Sequence, residues 1–239
     1  MERVAPAAVS PHPGARVGSI TRSPEQIIAF LLSFVIATTI HECAHAVTAY
    51  RLGDPTAKDL GRITLNPIMH FDPFGFFGMV LISIGYGFIG WGKPCPVNPS
   101  RFTYSFGGQR QRGMAVVALA GPVSNILQAV IVALVYRVLI QSGANLSSGA
   151  TTFISAFLTV NILLASFNMI PIPPLDGHKI LTGILPPFWY PVLAPLERYG
   201  FMILFLLFFV GGQVGGSIVG GLVDPMRGTL TDLVNTLIA

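Results

Sequence analysis

Two histidines four residues apart flank a glutamate in His41-Glu42-Cys43-Ala44-His45. On an α-helix such a pair lies about 40° apart and one turn up, so both imidazoles face one way and can share a Zn²⁺ ion. Glu42 projects about 100° round from His41. That puts its carboxylate beside the position the ion leaves open, where it can take a proton from water. This is the chemistry of metal-assisted hydrolysis. A hydrolytic zinc also needs a third protein ligand. The acid that fits is Asp176, in Asn168-Met-Ile-Pro-Ile-Pro-Pro-Leu-Asp176-Gly177.

The elements that carry these residues are apolar. The chain has 239 residues, 52% apolar and 10% charged, against roughly 25% charged in a soluble domain. Mean hydropathy is +0.67. Four stretches carry no charge: Gln26–Ile40, Gly113–Tyr136, Val138–Leu175 and Tyr199–Val223. A helix crosses a bilayer with about 20 apolar residues, so the chain reads as an all-α polytopic membrane protein. Ionisable groups inside a span are costly and mark function, which turns a short motif into a strong one. His41 lies ten residues before Arg51, and Asp176 ten before the Pro186-Pro187 exit. At about 1.5 Å per residue both sit roughly 15 Å from the same end of the membrane.

Topology follows from charge. Arg51–Arg62 and Lys93–Arg112 hold basic clusters, whereas Gln141–Thr151 holds no charge. The positive-inside rule places both clusters in the cytoplasm and the uncharged loop outside. Pro73–Gly92 then cannot cross once, and its six glycines make a poor helix. The expectation is a re-entrant loop or β-hairpin dipping in from the cytoplasmic face. Residues 1–24 read as a flexible tail, 25–185 as the catalytic core, and 186–239 as a C-terminal region with one or two further membrane helices. The closing stretch Thr229–Ile238 suits an interfacial helix. A net charge of +4 without any run of basic residues reads as topology determinants rather than as a nucleic-acid patch, so no nucleic-acid partner is expected. The two cysteines, Cys43 and Cys95, make no disulfide framework.

The stretches HECAHAVTAYRLGDPTAKDLGRITLNPIMHFDPFG (41–75), GWGKPCPVNPSRF (90–102), AGPVSN (120–125) and NMIPIPPLDG (168–177) resemble the site-2 protease family. These are intramembrane zinc metalloproteases, and the likeness is to the compact bacterial and archaeal branch without a PDZ domain. The resemblance implies a three-helix catalytic core with a membrane-dipping β region between its first two helices. It implies one Zn²⁺ on His41, His45 and Asp176, with Glu42 as catalytic acid/base. Asn168 would contact the substrate carbonyl or oxyanion. The implied partners are a transmembrane protein substrate and the lipid bilayer, with a homo-oligomer left open. The implied setting is the cell membrane, with the site reached from the cytoplasm. The resemblance is to members expected to lack both the PDZ insertion and the C-terminal CBS pair found in the wider family.

Other polar residues have plainer expectations. His70 and Asp72 suit loop-fixing hydrogen bonds, and His178 a supporting or solvated role. Asn125 and Asn161 suit bonds between helices, with substrate contact a further option for Asn125. Trp91 and Lys93 suit interfacial anchoring, or contact with a substrate strand. The rival function is a non-catalytic membrane zinc-binding protein or zinc transporter. Transport calls for acids and histidines at several depths, and the sequence offers one cluster at one depth. Neither rival has use for Glu42, a base that is not a ligand.

Overall fold

The computed structural model describes residues 22–84, 90–103, 110–209 and 212–238. Among the described residues every regular element is a helix: α1 (Pro24–Arg51), α2 (Thr56–Asp59), α3 (Pro73–Ser83), α4 (Arg110–Gln141), α5 (Ser148–Asn168), α6 (Asp176–Ile184), α7 (Tyr190–Phe209) and α8 (Gly212–Ile238), with short 3₁₀ turns between. Most of the expected tail, residues 1–21, lies outside the described residues.

Local chemistry sets the helix ends. Ser23 accepts from the Gln26 N–H while the Gln26 side chain accepts from the Ser23 N–H, a reciprocal cap that opens α1 with Pro24 in its first turn. Glu25 in the first turn and Arg51 in the last match the helix dipole. Ser147 caps α5 through the Ala150 N–H. Pro171, Pro173 and Pro174 then stop α5 from continuing past Asn168.

Helices α1, α4 and α5, and the stretch Pro187–Leu207 that includes most of α7, are long and apolar enough to cross a membrane. The protein is a multi-pass membrane protein. Helix α4 is central and packs on α1, α5, α6 and α8, while α1 also packs on α5. In lipid there is no hydrophobic drive between helices, so close backbone approach and interhelical hydrogen bonds do the holding. Alanines sit accordingly at the contacts: Ala37, Ala46 and Ala49 of α1, Ala129 and Ala133 of α4, and Ala165 of α5 are all buried.

Two local details differ from expectation: Pro73–Ser83 is helical despite its glycines, and Thr229–Ile238 is not a helix of its own. The glycine-rich segment begins as a helix, α3, whose 11 residues span only about 16 Å and cannot cross a bilayer. No strand occurs among the described residues, and 85–89, where a hairpin would turn, lie outside them. Glycines argue against a helix, but each costs only about 1 kcal/mol there. Here they serve packing instead. A Cβ on Gly75 would stand 1.9 Å from the Trp91 carbonyl oxygen, so only glycine lets α3 lie against the backbone at Trp91. The second difference concerns Thr229–Ile238, which is the end of the 27-residue α8 rather than a separate interfacial helix. Val234 is buried there against Ala129, Ala133, Leu158 and Ile162, so this face meets protein.

Candidate active site

Helix α1 turns His41 and His45 inward, 5% and 6% exposed. The break after α5 brings Asp176 to them as the first residue of α6, also 5% exposed. His41 Nε2 lies 3.0 Å from His45 Nε2, and each lies 3.1 Å from Asp176 Oδ2. The other Asp176 oxygen faces the Lys179 ammonium at 3.7 Å.

The outer nitrogens of the two rings show what this triangle suits. His45 Nδ1 is 2.7 Å from the Val117 carbonyl oxygen, and His41 Nδ1 is 2.6 Å from Asn125 Oδ1. The Val117 carbonyl can only accept, and with the Asn125 oxygen facing His41, each ring in its neutral form carries its proton on Nδ1 and turns the Nε2 lone pair toward Asp176. In those tautomers two lone pairs and a carboxylate oxygen converge, an arrangement that a cation satisfies. The edges are close to the roughly 3.3 Å expected between donors on a tetrahedral ion with bonds of about 2.0–2.1 Å. His41, His45 and Asp176 form the group of described residues that could hold a metal ion, and two nitrogens plus one carboxylate are donors typical of zinc.

Helix α4 is shaped to receive the rings. Val117, Gly121 and Asn125 recur every four residues along one stripe, antiparallel in register to His45 and His41. A Cβ on Gly121 would lie 2.5 Å from His41 Cε1 and from His45 Cε1, so the stripe must be bare at its centre. Pro122 removes the next backbone donor and sits buried in the same turn.

Glu42 is half-buried and lines a cavity of about 360 Å³ together with His41, His45, Asp176 and Asn168. Its Oε2 accepts from the Cys95 N–H at 2.7 Å. The loop that offers this N–H is clamped at both ends. Asp54, fully buried, accepts from the Asn98 N–H at 2.6 Å and from Thr56. The Arg62 guanidinium, 4% exposed, donates to the Lys93 and Pro94 carbonyls. Burial and the nearby Glu42 carboxylate push the Cys95 thiol up to about 12, so it stays neutral around pH 7. Cys43 and Cys95 are both free.

The remaining sequence candidates are placed as follows. His70 Nε2 is 2.9 Å from the Thr64 carbonyl oxygen, and Asp72 caps α3 through the Gly75 N–H. His178 Nε2 is 3.3 Å from Glu197 Oε1. Asn168 donates to the Leu164 carbonyl at 3.0 Å within its own helix. Trp91 lines the cavity and meets Phe201 edge-on at 6.4 Å between ring centres. Sequence reasoning misses three contributions: Asn125 at His41, the Val117 carbonyl at His45, and the Asp54–Arg62 clamp. The first is signalled by an amide inside a span. The second carries no side-chain signal, and Arg62 reads in sequence as a topology charge.

Comparison with known proteins adds an independent line. Residues 136–210 match the model of peptidase family M50, a window that holds Asn168 and Asp176. YwhC of Bacillus subtilis, which bears a zinc-metalloprotease name, is 36% identical over 219 residues, covering 90% of this chain and 94% of its own. Rip2 of Mycolicibacterium smegmatis, named likewise, is 31% identical over 180 residues, 75% of this chain and 66% of its own. The archaeal MJ0611 of Methanocaldococcus jannaschii, also so named, is 37% identical over 90 residues, 37% of this chain and 44% of its own. No solved structure matches the chain.

Proposed function

Since this chain belongs to peptidase family M50 and is a zinc metalloprotease of the site-2 type, we propose that it hydrolyses peptide bonds within or beside transmembrane segments of membrane-protein substrates, as in regulated intramembrane proteolysis. The observation that carries this reading is the placement of three converging acceptors and a separate carboxylate, Glu42, on one cavity between membrane-crossing helices. A soluble substrate has no need of a site at that depth.

His41, His45 and Asp176 hold the ion in this reading. Zinc bound there supplies Lewis acidity and makes water a nucleophile near neutral pH. Glu42 accepts the proton that water gives up and delivers it to the leaving amine nitrogen. Asn168, at the mouth of the break after α5, steadies the oxyanion through its amide. The Cys95 N–H keeps the Glu42 carboxylate turned into the cavity. A helical substrate hides its carbonyls in hydrogen bonds and must unwind before it can react. The bilayer and a transmembrane protein are thus the partners, nucleic acid is not, and a homo-oligomer is compatible with the reading.

The test is cleavage in liposomes of a transmembrane substrate carrying helix-breaking residues, beside the same substrate with a stable helix. The first is expected to be cut and the second spared. Equal cutting of both, or zinc movement across liposomes without any cutting, would overturn the proposal.

The basic clusters support a cytoplasmic approach to the site. Single cysteines at positions 58 and 101, in a background lacking Cys43 and Cys95, are expected to resist an impermeant thiol reagent in intact cells and to react once the cells are opened. Labelling of both in intact cells would reverse the orientation, and labelling of only one would mean that Pro73–Gly92 crosses the membrane.

A further inference from the structure

We propose that Asn161 and Asn125 act as a two-amide relay that fixes which ring nitrogen of His41 carries the proton, and that both are therefore positioning residues for the metal. The proposal rests on the reading of His41 as a ligand.

A neutral imidazole has one N–H and one lone pair, and only the lone pair can hold a cation. For His45 the choice is made directly, because a backbone carbonyl, Val117, can only accept. The neighbour of His41 is an amide, and an amide can present either its oxygen or its NH₂. Had Asn125 turned its NH₂ to the ring, the proton would sit on Nε2, aimed into the acceptor triangle, and His41 could not bind.

The structure removes that freedom one link at a time. Asn161 Nδ2 lies 3.0 Å from the Phe157 carbonyl oxygen, one turn back on α5. That oxygen is only an acceptor, so the facing atom must be nitrogen. Asn161 Oδ1 therefore faces Asn125, whose Nδ2 meets it at 2.9 Å and also reaches the Ala37 carbonyl at 3.4 Å. Asn125 Oδ1 is left for His41 Nδ1 at 2.6 Å. Flipping either amide would set acceptor against acceptor. Both amides are fully buried, 0% exposed, so no bulk water can repair such a clash, and an unpaired buried polar group is costly. The relay runs from an α5 carbonyl through α4 to the α1 ligand, which gives two buried amides in apolar spans a task beyond joining helices.

The experiment uses the full chain in detergent with ¹⁵N-labelled histidine. Ring-nitrogen shifts are recorded on metal-stripped protein, with the His41 signals assigned by their loss in His41→Ala. Zinc dissociation constants are measured at one pH by chelator competition. Wild type is expected to show the Nδ1–H form of His41. Asn161→Leu, which never touches the ring, removes the shorter of the two contacts that orient Asn125 and leaves only the 3.4 Å contact with the Ala37 carbonyl. It is expected to populate the Nε2–H form and to weaken zinc binding by about 10–100-fold, the usual cost of losing an outer partner. Asn161→Asp should restore both readouts, because its carboxyl is neutral at that depth, donating to Phe157 and accepting from Asn125. Should the leucine variant not fold, Asn161→Ser breaks the same link. Its hydroxyl bonds within α5 but is too short to reach Asn125. Unchanged zinc affinity in the leucine or serine variant overturns the relay, and so does weakened affinity with the Nδ1–H form intact, which would mark the amides as helix joints only. Full zinc retention by His41→Ala would instead overturn the ligand reading beneath it.

Discussion

Glu42→Gln is expected to keep the zinc of the wild type and to lose cleavage by about 10⁴-fold, the upper end of what general acid–base catalysis contributes. The upper end applies because one side chain serves two steps, accepting a proton from water and returning it to the leaving nitrogen. The metal should stay, since Glu42 is no part of the triangle formed by His41, His45 and Asp176. The loop should stay as well. The amide oxygen of glutamine can still accept from the Cys95 N–H that now bonds the Glu42 carboxylate. Cleavage of a helix-destabilised transmembrane substrate and zinc content, measured on the same samples, separate the two effects. Near wild-type cleavage by zinc-loaded Glu42→Gln would remove Glu42 as the base.

The second large effect is on the metal itself. Asp176→Ala and His41→Ala are each expected to weaken zinc binding by more than the 10–100-fold that loss of an outer partner costs, leaving purified protein largely without zinc. Asp176→Ala removes the one anionic donor and leaves two imidazoles whose Nε2 atoms lie 3.0 Å apart. It also releases Lys179 from its 3.7 Å contact with the carboxylate, bringing an unpaired cation near the site. Metal analysis of the purified variants is the check. A full equivalent of zinc in Asp176→Ala would assign the third ligand elsewhere, with His178 and His70 next in line. Both of those rings are engaged in this fold, with Glu197 and with the Thr64 carbonyl.

Much of the site is legible in the sequence because its signals are local or are set by depth. The His41–His45 pair depends only on helical spacing, and helix length follows from uncharged runs and capping residues. Asp176 pairs with the histidines on residue counts alone, because two spans that end on one side of the membrane put equal counts at equal depth. The prolines after Asn168 announce a break in α5, and α6 begins where the break ends, at Asp176 itself. What cannot be read is what depends on which faces meet. A glycine has one propensity but several uses. Gly75 in α3 has the propensity of a helix breaker and is a contact surface for the Trp91 backbone. Gly121 has the look of ordinary span composition and is the space into which both imidazoles fit.

By itself, then, the sequence determined a membrane-crossing helical chain, a zinc-type donor pattern, and a base beside it, because hydropathy, charge and helical period act within single segments. Tertiary structure alone decided how those donors are held. The Val117 carbonyl, the Asn125 and Asn161 amides and the buried Asp54 and Arg62 reach their partners across 31 to 84 residues of chain. Such bonds form only where packing has brought two backbones together and excluded the water that would otherwise compete for them. A backbone carbonyl has no identity in a sequence, and an amide has no direction until its neighbours are in place.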